Sequence, residues 1–300
     1  MAQSSQLPIP FGAVMTAMAT PFTSNLEVDY KRAAELAQRL IAQGNDGLIL
    51  AGTTGESPTL SHDEKMKLFK VVKEAVGKNH AVLAGTGSFS TRDTIALTKE
   101  VEALGLDGVL IVCPYYSKPP QEGLFQHFKA IAEATSLPIM IYNIPGRTAV
   151  NMFPETMERL AKIKNIVGVK ESGSAEQVAE AARRIGAGFT IWSGDDISTF
   201  PFLSLGAKGV VSVAGHLVAT EIKKMIMLFS EGRTKEAEAI HQRLSPFFKA
   251  LFITTSPILL KAAMKLSGFP IGGLRLPLVD ANEREISILK ESMAALNLLA

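Results

Sequence analysis

Short apolar runs alternate along this chain with longer stretches in which apolar residues recur at helical spacing. Eight of the runs have the near-continuous apolar character of strands buried on both faces of a sheet, and they cover residues 13–19, 47–50, 81–84, 108–113, 138–142, 166–169, 189–192 and 209–213. A helical pattern follows each run, and successive runs begin roughly 20 to 35 residues apart. Eight strand-helix repeats predict an α/β fold, a closed (β/α)8 TIM barrel rather than an open sheet.

Two of the predicted helices carry start signals. Ser61 is followed three residues later by Glu64, the pattern of a capping box, which predicts a helix that runs to about Val76. Thr91 is the predicted N-cap of the helix that ends near Gly105. Both signals support the alternation of strands and helices.

The pattern stays helical beyond residue 219, where the predicted helices cover residues 221–231, 235–252, 257–266 and 281–299. No connecting segment is long or polar enough to separate an independent domain. We therefore predict a catalytic barrel unit of residues 1–231 and a C-terminal helical extension of residues 232–300 that packs on it.

Composition narrows the class of protein. A hydrophobic content of 47% with 20% charged residues predicts a soluble chain with a large core. The 31 basic and 29 acidic residues form no basic run, which argues against a nucleic-acid partner. The single cysteine, Cys113, fits a reducing compartment. With a polar N-terminus and no apolar run of membrane-spanning length, the sequence predicts a cytoplasmic protein without a membrane partner.

Lys170 is the first candidate catalytic residue, because it directly follows the apolar run 166–169 and barrel chemistry is built at the carboxyl ends of the strands. Apolar surroundings lower the pKa of a lysine from its usual ~10.4 and leave a neutral amine that can attack a carbonyl. The alternative is a lysine whose ammonium extends from the sheet edge into water.

Other strand ends carry groups suited to a small acid. The turn at Thr53 and Thr54 has two glycines and can present N–H groups and hydroxyls to a carboxylate, although a plain Gly/Thr turn is the alternative. Tyr116 follows the fourth strand and Tyr142 ends the fifth, where a phenol can transfer a proton or simply fill the core. Arg147 offers a planar fork to a carboxylate or, alternatively, a charge to solvent.

Several chemistries lack their residues in this sequence. The five histidines are scattered without the spacing of a metal site, and no phosphate-binding or dinucleotide-binding glycine motif follows a strand. Asp195 and Asp196, after the seventh strand, would repel a phosphate group. The sequence therefore predicts no metal and no cofactor, and it favours a Schiff-base lyase or aldolase that acts on a keto acid.

Four segments in order resemble the motif set of the dihydrodipicolinate synthase and N-acetylneuraminate lyase superfamily. They are Gly-Thr-Thr-Gly-Glu-Ser at 52–57, Tyr-Tyr at 115–116, Tyr-Asn-Ile-Pro-Gly-Arg-Thr at 142–148 and Gly-Val-Lys-Glu at 168–171. The resemblance runs from residue 12 to about residue 276. Within the superfamily, the segment that ends in Arg147 is similar to that of the dihydrodipicolinate synthases. The sialic acid and ketodeoxygluconate lyases generally lack an arginine at this position.

The resemblance implies condensation of pyruvate with L-aspartate 4-semialdehyde to 4-hydroxy-tetrahydrodipicolinate, for diaminopimelate and lysine biosynthesis. It implies a homotetramer built as a dimer of dimers. The resemblance implies that Lys170 forms the imine and that Tyr142, Thr53 and Tyr116 relay protons, with Tyr116 reaching the neighbouring subunit's site. It implies that Thr54 and Arg147 bind carboxylates. It also implies that the backbones of Gly194 and Val211 line the pocket. Another pyruvate-dependent lyase and a non-catalytic binding barrel are the alternatives.

The resemblance also bears on feedback regulation. Inhibited members of the family bind lysine at a dimer interface, and Ser57, His62 and Tyr115 match positions used there. Lys65 replaces a histidine of the inhibited bacterial members, and Phe89 replaces an asparagine. A second cation would repel the ammonium of lysine, so we predict weak or absent inhibition.

Overall fold

A computed structural model describes residues 9–186 and 188–300 of the chain. Residues 1–8 and 187, which belong to the predicted barrel unit, lie outside the described residues. Eight parallel strands close into a barrel in chain order, so the predicted fold is confirmed. The strands are β1 (Val14–Ala17), β2 (Gly47–Leu50), β3 (Ala81–Gly85), β4 (Gly108–Val112), β5 (Ile139–Asn143), β6 (Ile166–Glu171), β7 (Thr190–Ser193) and β8 (Gly209–Ser212).

Helices cover the outside of the barrel and continue into the C-terminal extension. They are α1 (Tyr30–Ala42), α2 (His62–Val76), α3 (Thr91–Ala103), α4 (Gln121–Glu133), α5 (Pro145–Thr148), α6 (Pro154–Leu160), α7 (Ala175–Arg184), α8 (Thr199–Ser204), α9 (Gly215–Ser230), α10 (Thr234–Ala250), α11 (Ile258–Leu266) and α12 (Glu283–Ala294). Within the described part of the chain, no helix combines the length and apolar character that crossing a bilayer requires.

One of the two predicted helix starts is confirmed, and the other is wrong by one residue. Ser61 and Glu64 form the capping box at the start of α2, as predicted. The N-cap of α3 is Ser90 rather than Thr91, because the Ser90 hydroxyl accepts from the Asp93 N–H at 3.3 Å. The Thr91 hydroxyl instead lies 2.9 Å from Nδ1 of a histidine on α4.

Strand alternation divides the core into two layers. One set of side chains, including Met15, Met140 and Trp192, fills the barrel interior. The other set packs between the strands and the helices. The Trp192 indole N–H donates to the Gly12 carbonyl at 2.9 Å, which satisfies its polar atom inside the barrel. Because side chains fill the barrel interior, a cavity can open into the barrel at the ends of the strands.

Candidate active site

Lys170 and Tyr142 form the centre of the site. Strand β6 extends to Glu171, so Lys170 lies within the strand rather than after its end. The parallel register places it beside Tyr142 of β5, and its Nζ lies 4.1 Å from the centroid of the tyrosine ring. Each residue is only 5% exposed, so the lysine does not extend into bulk water.

A cavity of about 480 Å³ opens above this pair at the carboxyl ends of the strands. Its walls include most of the residues selected from the sequence, namely Lys170, Tyr142, Thr53, Thr54, Arg147 and Gly194. These residues come from four different strand ends, and barrel closure brings them together. Gly194 must be small, because a Cβ there would lie 2.0 Å from Oγ of Ser172.

Glu56, whose role was not predicted, anchors the turn that carries Thr53 and Thr54. The Glu56 side chain is fully buried, and its Oε1 lies 2.6 Å from Nζ of Lys261 on α11. Its Oε2 accepts from the Arg275 backbone N–H at 3.0 Å. Both partners lie in the C-terminal extension, which therefore fixes a turn of the barrel.

The extension also supplies part of the cavity wall. Phe252, Thr255 and Ser256, in the segment between α10 and α11, line the cavity. The Arg147 guanidinium lies at the exposed rim and donates from Nη2 to Oγ1 of Thr255 at 3.2 Å. Sequence reasoning missed these three residues, since none follows a strand.

The two aspartates after β7 have different surroundings. Asp195 lines the cavity, and burial raises the pKa of its carboxyl while the charges of Lys170 and Arg147 act in the opposite direction. Asp196 accepts instead from the N–H groups of Val213 and Ala214, at 3.0 and 2.9 Å. One carboxylate therefore faces the cavity, not the pair expected from the sequence.

A metal site requires several donor side chains close together. Across residues 9–186 and 188–300, no group of three or more His, Cys, Asp or Glu side chains is placed to hold a metal ion.

Two predicted site residues lie elsewhere. Tyr116 is 91% exposed and its side chain is not part of the cavity wall within the described chain. The Val211 side chain, whose backbone was the predicted contact, is buried in the barrel interior, and Val213, just after β8, lines the cavity.

A second cavity of about 260 Å³ adjoins the first and shares Thr53 and Tyr142 with it. It contains Ser57 and Tyr115, two of the residues matched to a lysine site.

The other three residues that the family resemblance connects with feedback inhibition, His62, Lys65 and Phe89, lie outside this second cavity. Nε2 of His62 lies 3.0 Å from Oε2 of Glu100. Phe89 packs edge-on against Tyr115 with ring centroids 5.5 Å apart. Burial lowers the pKa of the Lys65 ammonium.

A closed barrel whose cavity holds a buried lysine beside a tyrosine is an arrangement suited to an enzyme that acts on carbonyl compounds. The chain belongs to the dihydrodipicolinate synthetase family, whose model matches residues 10–296. It is 53% identical to the 4-hydroxy-tetrahydrodipicolinate synthase of Desulforamulus reducens over 97% of this chain and 99% of that protein.

Solved structures give the same result. The dihydrodipicolinate synthase of Cyanidioschyzon merolae, solved with lysine bound, superposes with a TM-score of 0.95 at 50% identity, over 96% of this chain and 99% of that chain. A dihydrodipicolinate synthase variant described as monomeric superposes with a TM-score of 0.94 at 41% identity, over 96% and 98% of the two chains.

Proposed function

We propose that this chain is a lyase that condenses pyruvate with L-aspartate 4-semialdehyde to give 4-hydroxy-tetrahydrodipicolinate. The observation that carries the proposal is the buried Lys170 amine, 4.1 Å from the Tyr142 ring at the base of a polar cavity. Family membership over residues 10–296 supports this substrate pair over other keto acids and aldehydes. The product serves diaminopimelate and lysine biosynthesis, and we place the enzyme in the cytoplasm.

The first half of the reaction forms an enamine on the enzyme. The amine of Lys170 attacks C2 of pyruvate, and the carbinolamine loses water to give an iminium. The iminium then accepts the electron pair of a C3–H bond as a proton leaves the methyl group. The Tyr142 phenol and the Thr53 hydroxyl, both in the cavity wall, supply and remove these protons, and Thr54 binds the pyruvate carboxylate.

The second half uses the aldehyde. The enamine carbon attacks the aldehyde carbon of aspartate semialdehyde, whose carboxylate binds Arg147 at the rim. The substrate's own amino group then displaces Lys170 by transimination, which closes the ring and releases the free lysine. The Asp195 carboxylate in the wall disfavours phosphorylated substrates.

A second copy of the chain completes the proton relay in this proposal. Tyr116 has a φ of 71°, a left-handed conformation that is costly for a bulky residue and persists where function requires it. Tyr116 is exposed and follows Tyr115 in the chain, and the Tyr115 ring packs edge-on against the exposed Phe89. We infer that these exposed aromatic residues belong to a docking surface for the partner subunit. We propose a homotetramer, and sedimentation of wild-type protein and of Tyr116→Phe, with activity measured on both, tests this assembly.

Borohydride reduction in the presence of pyruvate tests the chemistry directly. A reduced pyruvyl adduct mapped by mass spectrometry to Lys170 is expected, and Lys170→Ala should abolish it. Lys164→Ala is the matched control, because Lys164 is exposed just before the other end of β6 and should leave the adduct unchanged. Absence of any adduct would leave a non-catalytic binding barrel. A panel of aldehyde acceptors separates this synthase from other pyruvate-dependent lyases.

A further inference from the structure

The residues that follow the catalytic pair face the other side of the barrel wall. Tyr142 and Lys170 are register partners on β5 and β6, and so are Asn143 and Glu171. Because strand side chains alternate, a pair that points toward the cavity is followed by a pair that points toward the helices. Asn143 is fully buried and Glu171 is 1% exposed.

The side chains of Asn143 and Glu171 form hydrogen bonds directly with each other. Nδ2 of Asn143 donates to Oε1 of Glu171 at 2.9 Å and to Oε2 at 3.1 Å. The carboxylate also accepts from the Gly173 backbone N–H at 2.6 Å and from Nε2 of Gln177 at 3.1 Å. Every one of these partners is a donor, so the site is built for an acceptor.

Asn143 is itself held in a fixed orientation. Its Oδ1 accepts from the Met152 N–H at 3.0 Å, and its Nδ2 also donates to Oδ1 of Asn151 at 2.8 Å. Asn151 is bonded in turn to Gln177, which closes the network. A fully satisfied buried network of this kind fixes one arrangement of the strands that carry it.

Glu171 carries an unusual cost for a residue with no direct contact to the cavity. Within the described residues no lysine, arginine or histidine forms an ion pair with it, although burial of an unpaired carboxylate is expensive. Burial raises its pKa to about 7, with the bonds from Asn143 and Gln177 acting in the opposite direction. A cost of this kind that serves packing alone would be removed by an apolar residue of similar size.

We propose that Asn143 and Glu171 are positioning residues, which fix the carboxyl ends of β5 and β6 from outside the barrel so that Tyr142 and Lys170 meet at the base of the cavity. The inference rests on the proposed function, because it assigns the imine to Lys170. Loss of the hydrogen bond between Asn143 and Glu171 lets the strand ends shift by a fraction of an ångström. The rate of imine formation is sensitive to such shifts of the reacting groups.

Glu171→Gln is the first test, since glutamine keeps the volume and places an amide N–H₂ against a donor of Asn143. We expect the rate of borohydride-trapped imine formation and kcat/KM for pyruvate to fall roughly 10- to 100-fold. The reciprocal variant Asn143→Asp with Glu171→Gln restores one donor and one acceptor, once Asn151 and Gln177 rotate their amides. It should recover most of the imine rate.

The control is Asn165→Ala, at the opposite end of the same strand. Nδ2 of Asn165 donates to the carbonyls of Ala132 and Thr135, both at 3.0 Å, so its loss lowers stability without touching the site. All variants are compared well below their Tm. The inference is overturned if Glu171→Gln folds and forms the imine at the wild-type rate, or if Asn165→Ala slows it equally. Absence of an adduct in the wild-type protein would instead overturn the proposed function.

Discussion

Replacing Lys261 by methionine should destabilise the protein more than any exposed charge substitution. The Lys261 and Glu56 side chains are 4% and 0% exposed, and Nζ lies 2.6 Å from Oε1. At this distance and an effective dielectric of about 20, the attraction is roughly 6 kcal/mol. Methionine leaves Glu56 buried without its partner, and breaking such a pair costs about 3–5 kcal/mol.

Thermal unfolding measures this cost. At about 2 °C per kcal/mol for a chain of this size, Lys261→Met should lower Tm by roughly 6 to 10 °C at equal protein concentration and scan rate. Lys129→Met is the matched control, because Lys129 and Glu133 form an exposed pair at 3.7 Å whose loss costs about 1 kcal/mol or less. The KM for pyruvate should rise only in the Lys261 variant, since Glu56 holds the Thr53–Thr54 turn.

The double variant decides between an unpaired charge and lost packing. Glu56→Gln with Lys261→Met removes both charges and keeps both volumes, so Tm should return to within about 3 °C of wild type. If Lys261→Met lowers Tm by less than about 2 °C, the reasoning is refuted. A double variant as unstable as the single one would refute it as well.

Arg147→Ala should raise KM for aspartate semialdehyde by roughly tenfold or more while the pyruvate adduct still forms, because the guanidinium stands at the rim beside Thr255; unchanged aldehyde kinetics would contradict its role. Lysine titrated into the purified enzyme should inhibit weakly or not at all, because Lys65 adds a cation; half-inhibition at submillimolar lysine would prove this wrong. On acidification from about pH 7 to pH 4.5, two buried histidines act to lower the urea midpoint, while Glu171, whose pKa is raised to about 7, acts in the opposite direction. Burial lowers the pKa of both His127 and His216 to about 4 from 6.5, so the unfolded chain takes up protons first. His127→Gln removes one of the two histidine contributions, so relative to wild type its urea midpoint should shift toward higher values as the pH falls; equal shifts in the two proteins would contradict the assignment.

Much of the fold could be predicted because its signals are local. A run of apolar residues shows that a strand is buried on both faces, and the eight runs all correspond to strands of the closed barrel. A parallel barrel gathers every carboxyl end at one rim, so strand ends distant in sequence could be placed in one site. Lys170, Tyr142, Thr53 and Arg147 all line the same cavity for that reason.

Side-chain direction beyond a strand end could not be predicted, since no period applies to loops. Asp195 and Asp196 are adjacent in the chain, yet one lines the cavity and the other binds the loop after β8. No local pattern indicated that Tyr116 lies outside the cavity of its own chain; only the family resemblance pointed to a role in a neighbouring subunit.

The sequence by itself determined the eight repeats and the set of reactive side chains at their ends, because both depend on neighbours along the chain. Only the tertiary structure decided what holds them in place. The Glu56–Lys261 ion pair and the bond between Asn143 and Glu171 join residues that are far apart in sequence. Such pairs are fixed by how the barrel closes and how the extension packs, and no local pattern of apolar and polar residues encodes either.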